Sequence, residues 1–174
     1  LLGHGRGRLT HHEAHGHDHV VAFSGELLDV LLVVRRLGKV DDGTFNQYAY
    51  EGLMRAAEAY GLETSFIETA QPTDYEKNIE QFAAEGFDMI VTVGFMMGET
   101  TAAMAEKYPD IKFAIVDFAY EDYPENLQGM VFREDQAGFL AGVLAGMLSE
   151  SQTVGIVAGM EIPPVKKYRN GYEN

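Results

Sequence analysis

Three short segments combine aromatic, amide and carboxylate side chains at points where apolar runs give way to loops. Phe45 and Asn46 end a Gly- and Asp-rich loop, Gly94 and Phe95 follow a second apolar run, and Asp117 follows a third. An aromatic plane beside an amide and a carboxylate suits a planar, polar heterocycle, because the ring stacks while the polar groups form directional hydrogen bonds. The sequence therefore predicts a ligand-binding site built from Phe45, Asn46, Asp117, Gly94, Phe95 and, in the same loop as Phe45, Asp42.

These residues also have structural explanations. Asn46 is placed to cap the helix that begins there, Phe45 to act as a hydrophobic staple, and Asp117 to bind loop amides. Asp41 and Asp42 resemble a carboxylate pair for metal or acid–base chemistry, but adjacent loop residues point apart. Ligands bind open parallel sheets beyond the carboxyl ends of their strands, so convergence at that edge favours binding.

Motifs for catalysis are missing from the sequence. It contains no cysteine, no Gly-x-Ser-x-Gly elbow, no Walker loop, and no Gly-x-Gly-x-x-Gly after the first strand. The net charge of −14 argues against a nucleic-acid surface, which needs clustered Lys and Arg. We therefore predict that the protein is not an enzyme, uses no cofactor and binds no nucleic acid.

The N-terminus differs from the rest of the chain. All six histidines lie between His4 and His19. Five of them, with Glu13 and Asp18, could chelate a divalent metal: His11, His12, His15, His17 and His19. However, no metal-ligating residue from a distant part of the sequence fixes the coordination geometry of such a site. The first 28 residues also show neither helical nor strand periodicity. We expect an irregular segment over residues 1–28 and predict no physiological metal site.

The elements that must position the site alternate between strand and helix. Strands separated by helices of 10–16 residues predict an α/β fold, a parallel sheet with helices on both faces. Gly61 and Gly86 are expected to end two of the helices. A capping box, Thr73 to Glu76, is expected to open another. The predicted strands are 30–34, 62–69, 89–93, 112–116, a short one near 129–132, and 154–158; the predicted helices are 45–60, 73–85, one from the 94–99 turn to 108, and 135–148.

The helix predicted over 135–148 carries an unusual glycine pattern. Gly138, Gly142 and Gly146 recur every four residues, the small-xxx-small spacing of paired membrane helices. The apolar run is too short to span a bilayer, which takes roughly 18–20 residues. We expect the glycines to let this helix approach the sheet closely.

Five runs of the sequence closely resemble one family: GKVDDGTFNQYAYEGL, IVTVGFMMGE, PDIKFAIVD, EDQAGFLAGVLAGML and TVGIVAGMEIPPVKKYRNGY. The family is BMP, the basic membrane lipoproteins, which are substrate-binding components of ABC transporters. The resemblance covers about residues 38–174. It implies a type I periplasmic-binding-protein-like lobe, truncated here, with a nucleoside held between two lobes.

The resemblance also implies roles for individual residues. Phe45 and Asn46 correspond to the Phe-Asn pair that stacks on and bonds the base, and Asp117 to an Asp that also contacts it. Gly159, Met160 and Glu161 correspond to the segment that leads from the first lobe to the second. The implied domains are a segment 1–28, a ligand-binding lobe 29–158 and a crossover 159–174.

The N-terminal part of the lobe departs from the family pattern. The family's first strand ends in Val-Thr-Asp-x-Gly, and counting back from Gly38 puts Arg36 at the Asp position and Arg35 at the Thr position. Arginine cannot accept a hydrogen bond, so it cannot replace that carboxylate. An upstream frameshift would explain both these residues and the histidine tract, and we hypothesise that residues before Gly38 are not authentic family sequence.

The function implied by the resemblance is nucleoside binding, with a purine nucleoside expected, for import by ABC permease and ATPase subunits. The protein is expected to be an extracytoplasmic lipoprotein whose lipid anchor is absent from this chain. Since the second lobe is expected to be missing, the chain itself should bind weakly. The main alternative is a sugar or an autoinducer-like ligand on the same fold; an enzyme of flavodoxin-like or nucleoside-hydrolase type is a weaker one.

Overall fold

The computed structural model describes residues 29–34, 41 and 43–174, with the backbone alone for 29–34. The histidine tract, Arg35, Arg36 and Asp42 lie outside the described residues. Strands and helices alternate as far as β4, and a fifth strand and two helices follow. The elements are β1 (Asp29–Val34), α1 (Phe45–Tyr60), β2 (Glu63–Glu68), α2 (Tyr75–Glu85), β3 (Met89–Val93), α3 (Gly98–Lys107), β4 (Lys112–Val116), β5 (Leu127–Met130), α4 (Glu134–Leu148) and α5 (Pro163–Glu173).

The five strands form one parallel sheet in the order β2-β1-β3-β4-β5. Parallel neighbours need crossover connections, which explains why a helix follows each of the first three strands. The predicted α/β fold with a parallel sheet is confirmed. Strands β3 and β4 have the predicted bounds, residue for residue.

Side chains of β3 alternate between two apolar layers. Ile90 belongs to a large buried cluster with side chains of α2 and α3, whereas Val93 packs with Leu53 of α1. Because successive strand residues point to opposite faces, helices cover both faces of the sheet, as predicted. The other buried members of the large cluster are Tyr75, Ile79, Phe82, Met97, Met104, Ala105, Phe113, Ile115 and Leu127.

A buried pair of hydroxyl groups joins β3 to α3. The Oγ1 atoms of Thr92 and Thr101 lie 2.9 Å apart, and Thr101 Oγ1 donates to the Met97 carbonyl oxygen at 2.8 Å. Both threonines are fully buried. Since an unpaired buried hydroxyl is costly, these bonds fix the first turn of α3 against the strand that precedes it.

Glycines bring α4 and α5 into backbone contact. A Cβ atom on Gly138 would overlap the carbonyl oxygen of Tyr168, and one on Gly142 would overlap that of Tyr172. The prediction that the glycine stripe faces the sheet is therefore wrong, because Gly138 and Gly142 face α5. A facing helix can present its own backbone at this distance, whereas the side chains of a sheet stand between its backbone and any helix that covers it.

The opposite side of α4 is apolar and exposed. A helix that is apolar all round is usually buried, so hydrophobicity alone does not indicate which side is packed. In α4 the small residues mark the packed side. The exposed apolar side chains are Phe139, Leu140, Val143, Leu144, Met147 and Leu148.

The strand predicted over residues 154–158 is wrong. These residues have no regular secondary structure, and the exposed Val157 contrasts with the burial expected of a strand in the core. An apolar run becomes a strand only where its backbone pairs with a neighbour, and none of the described ladders includes it. The short strand predicted near 129–132 is present but shifted, as β5.

The capping box predicted at Thr73 is also wrong. Pro72 starts a 3-10 turn over Pro72–Asp74, so Thr73 lies within this turn and α2 begins only at Tyr75. The Asp74 amide donates to the Gln71 carbonyl at 3.0 Å. The chain thus enters the helix already turning, without a side-chain cap. The stops at Gly61 and Gly86 are confirmed, since both glycines adopt the left-handed conformation at a helix end.

Among the described helices, none has both the length and the apolar character needed to cross a membrane.

We expect Gly138→Ala and Gly146→Ala, two identical changes on one helix, to have opposite effects. At Gly138 the new methyl group meets the α5 backbone and should lower the free energy of unfolding by about 1–3 kcal/mol. At Gly146 nothing lies within 4 Å, and the gain in helix propensity should raise it by about 0.5–1 kcal/mol. Urea unfolding followed by circular dichroism measures both. Equal effects would contradict the close contact between the helices.

Candidate functional site at the carboxyl edge of the sheet

Three neighbouring parallel strands end at the same edge of the sheet. β1, β3 and β4 are adjacent, so their carboxyl ends lie side by side. Gly94 and Phe95 directly follow β3, Asp117 directly follows β4, and α1 is the next element in the chain after β1. The described predicted ligand-binding residues therefore lie at this edge, whereas Gly159, Met160 and Glu161 lie in the irregular segment before α5.

The first turn of α1 presents one exposed and one buried candidate. The side chain of Phe45, the first helical residue, is 51% exposed, and that of Asn46, the next, is buried. The helix cap is Thr44, which forms no side-chain cap bond, so Asn46 is not the cap. An exposed ring beside a buried amide fits a surface that both stacks on and hydrogen-bonds a ligand.

A glutamine holds the loop before Phe45. Gly43, with φ of +71°, donates its backbone N–H to Gln47 Oε1 at 2.9 Å. Gln47 Nε2 donates in turn to Glu51 Oε1 at 2.9 Å. Since Gln47 and Glu51 lie one turn apart on α1, the helix itself fixes the loop that precedes it. Gln47 was not among the predicted site residues.

Gly94 makes the turn after β3 possible. Its φ of +95° and ψ of 144° belong to a region that is essentially restricted to glycine. Its N–H donates to the Val116 carbonyl at 2.9 Å, which extends the pairing of β3 with β4, and its carbonyl accepts from Met97 N–H at 3.0 Å. Phe95, half-buried, then opens a 3-10 turn into α3.

Asp117 has an unusual backbone conformation. Its φ of +66° is left-handed, a region that side chains other than glycine, Asn and Asp rarely adopt. Its N–H donates to the Met130 carbonyl at 2.9 Å, so the end of β4 is tied to the end of β5. Conformations of this kind concentrate at functional sites, where the surrounding structure compensates for them.

The segment after Asp117 packs on the start of α3. A Cβ atom on Gly98 would lie 2.7 Å from Phe118 Cζ, so a larger residue there would have to displace the Phe118 ring. The Tyr120 hydroxyl donates to the Gly98 carbonyl at 2.8 Å, and the rings of Phe118 and Tyr120 meet edge to face. Burial raises the pKa of Tyr120 to about 12. These contacts hold the loop that carries Asp117.

Sequence reasoning missed an aromatic neighbour of Phe45. The ring of Phe132, which follows β5, lies 5.9 Å from the Phe45 ring between centroids. No periodicity connects two residues so far apart in the chain. The one usable signal was its place as the last residue of the strand predicted near 129–132.

Metal binding finds no support at this edge or elsewhere in the described ranges. No group of three or more His, Asp or Glu side chains within residues 29–34, 41 and 43–174 is arranged to hold an ion. The histidine tract lies outside those ranges. Asp41 is exposed, and its neighbour Asp42 lies outside the described residues.

The parallel sheet, its strand order and the helices on both faces are those of one periplasmic-binding-protein-like lobe. The sequence profile of the Bmp family, described as "ABC transporter substrate-binding protein PnrA-like", matches residues 30–174. The chain belongs to this family of ABC transporter substrate-binding proteins.

Individual relatives agree with this assignment. An uncharacterized lipoprotein of Pyrococcus abyssi is 39% identical over 140 residues, which are 78% of this chain and 35% of that protein. Basic membrane protein A of Borreliella burgdorferi is 31% identical over 87% of this chain and 44% of its own length. A solved solute-binding protein of an ABC transporter system from Aeropyrum pernix K1 matches with a TM-score of 0.69 and 31% identity, over 83% of this chain and 41% of that one. The chain thus spans less than half the length of each of these relatives.

We expect Tyr120→Phe to destabilise the protein by about 1 kcal/mol at neutral pH, because the Gly98 carbonyl loses its donor. Folding raises the pKa of Tyr120 above the usual value of about 10. Its hydroxyl therefore contributes fully to the free energy of unfolding below pH 10, and this contribution is lost between pH 10 and about 12. The stability difference between wild type and variant should therefore shrink over that window in urea unfolding. Tyr123→Phe, which removes an exposed hydroxyl, is the control; a difference independent of pH would contradict the assignment.

Proposed function

We propose that the protein is a receptor for a purine nucleoside and that the base binds at the carboxyl edge of the sheet. The observation that carries this proposal is the first turn of α1, where the exposed ring of Phe45 precedes the buried amide of Asn46. The ring stacks on the flat face of the base, and the amide, which can donate and accept, bonds its edge.

Asp117 restricts how the base can be oriented in this site. An ionised carboxylate only accepts hydrogen bonds, so the part of the base that faces it must carry N–H donors. The left-handed backbone at this position supports a functional role, because such conformations concentrate at functional sites. Gly94, Phe95 and Asp42 complete the proposed wall of the site.

The receptor acts by binding and delivery. In this proposal it passes the nucleoside to the permease and ATPase subunits of an ABC importer without covalent chemistry. The residues Gly159, Met160 and Glu161 lead to a second lobe that closes over the ligand from the opposite side. The names of the relatives, which include lipoproteins and a basic membrane protein, support an extracytoplasmic location with attachment to the membrane through a lipid.

Calorimetric titration of the full-length gene product tests this function. Inosine, guanosine and adenosine are titrated alongside ribose, which carries no base. We expect saturable binding of a nucleoside and none of ribose, because the proposed contacts are to the base. Binding of ribose without binding of any nucleoside would contradict the proposal and favour a sugar receptor.

Phe45→Ala should weaken nucleoside binding by about 5- to 150-fold, since stacking of a base on an aromatic side chain contributes about 1–3 kcal/mol. The matched control is Tyr60→Ala, which removes an aromatic ring, 75% exposed, from the other end of α1. The control should leave the affinity unchanged. Equal losses in both variants would indicate a general effect of altering α1 and would remove the argument for stacking.

A further inference from the structure

Phe132 and Phe45 form an aromatic pair at the proposed site. Their ring centroids are 5.9 Å apart and their planes meet at 60°, an edge-to-face contact. The two side chains are 48% and 51% exposed, so neither belongs to the core. An aromatic pair this exposed, at the carboxyl edge of a parallel sheet, lies where a ligand can reach it.

The distance between the two rings limits how a base can bind. A third ring between them would need about 7 Å, which is two van der Waals contacts of about 3.5 Å each. The observed separation and tilt leave no such gap. In this arrangement a base does not fit between Phe45 and Phe132, so the side of Phe45 turned away from Phe132 is the one left for stacking.

Both rings extend from backbone that is held in place. Phe132 lies between the end of β5, tied to Asp117 through the Met130 carbonyl, and the start of α4. Phe45 is the first residue of α1, and the side chain of Gln47 holds the loop before it. Edge-to-face pairs of this kind favour one relative orientation of the two rings.

We infer that Phe132 is a positioning residue, which holds the ring of Phe45 in the orientation on which a base stacks and does not itself contact the base. This inference rests on the proposed function. It assigns the second aromatic side chain at this edge a supporting role, so Phe132 affects the ligand only through Phe45.

A fluorescence experiment on the 174-residue chain tests the positioning without a ligand. The sequence contains no tryptophan, so Phe45→Trp introduces a single reporter. Adding Phe132→Ala should shift its emission to longer wavelength and lower its anisotropy, because the ring loses its neighbour and gains solvent and freedom. Adding Phe139→Ala instead, which removes an equally exposed ring from α4, is the control. Emission and anisotropy that Phe132→Ala leaves unchanged would overturn the inference.

A double-mutant cycle on the full-length gene product tests how Phe132 acts on the ligand. Phe132→Ala should weaken inosine binding by about 2- to 10-fold, the usual contribution of an aromatic pair, and Phe132→Tyr should retain the affinity. In a protein that already carries Phe45→Ala, the Phe132→Ala change should cause no further loss. Additive losses would mean that Phe132 contacts the ligand directly, and they would overturn the inference.

The two experiments separate this inference from the proposed function. If the wild-type protein binds none of the three nucleosides, the proposed function fails, and the tryptophan emission alone decides whether Phe132 orders Phe45. If nucleosides bind but the emission does not respond to Phe132→Ala, the function stands and the positioning role is overturned.

Discussion

The pairing of β3 with strands on both sides is the constraint on which the rest of the structure depends. The pairing brings the carboxyl ends of β1, β3 and β4 to one edge of the sheet. The side chains of β3 alternate between its two faces and contribute to both apolar layers. The hydroxyl pair of Thr92 and Thr101 then ties α3 to this strand. The loops at the edge are thus carried by the best-packed part of the molecule, which allows Gly94 and Asp117 to keep unusual backbone conformations.

The sequence predicted this central part well because its signals are local. β3 and β4 are buried on both faces, so each reads as a continuous apolar run with sharp ends. Gly61 and Gly86 end helices through their own conformational freedom. The predictions failed where the outcome depends on a partner: residues 154–158 have strand character but no strand beside them in the described fold.

The site could be predicted in part for the same reason. Phe45, Asn46 and Asp117 were selected by their places after predicted strands, and the parallel sheet order brings those places together. Burial of Asn46 could not be read from the sequence, because a polar residue at a helix start is equally suited to an exposed cap. The partnership of Phe45 with Phe132 arises only when β5 pairs with β4, a contact without a local signature.

The contact between α4 and α5 has a consequence for how the sequence can change over evolution. A mutation of Gly138 or Gly142 to another amino acid introduces a side chain where only a hydrogen atom fits. At Tyr168 the opposing helix contributes a carbonyl oxygen, which every amino acid possesses, so that residue can be exchanged without altering this part of the contact. Gly171 of α5 meets the Asp135 carbonyl oxygen of α4 equally closely, so mutational drift is restricted at glycines on both helices and freer at the residues that contribute only backbone.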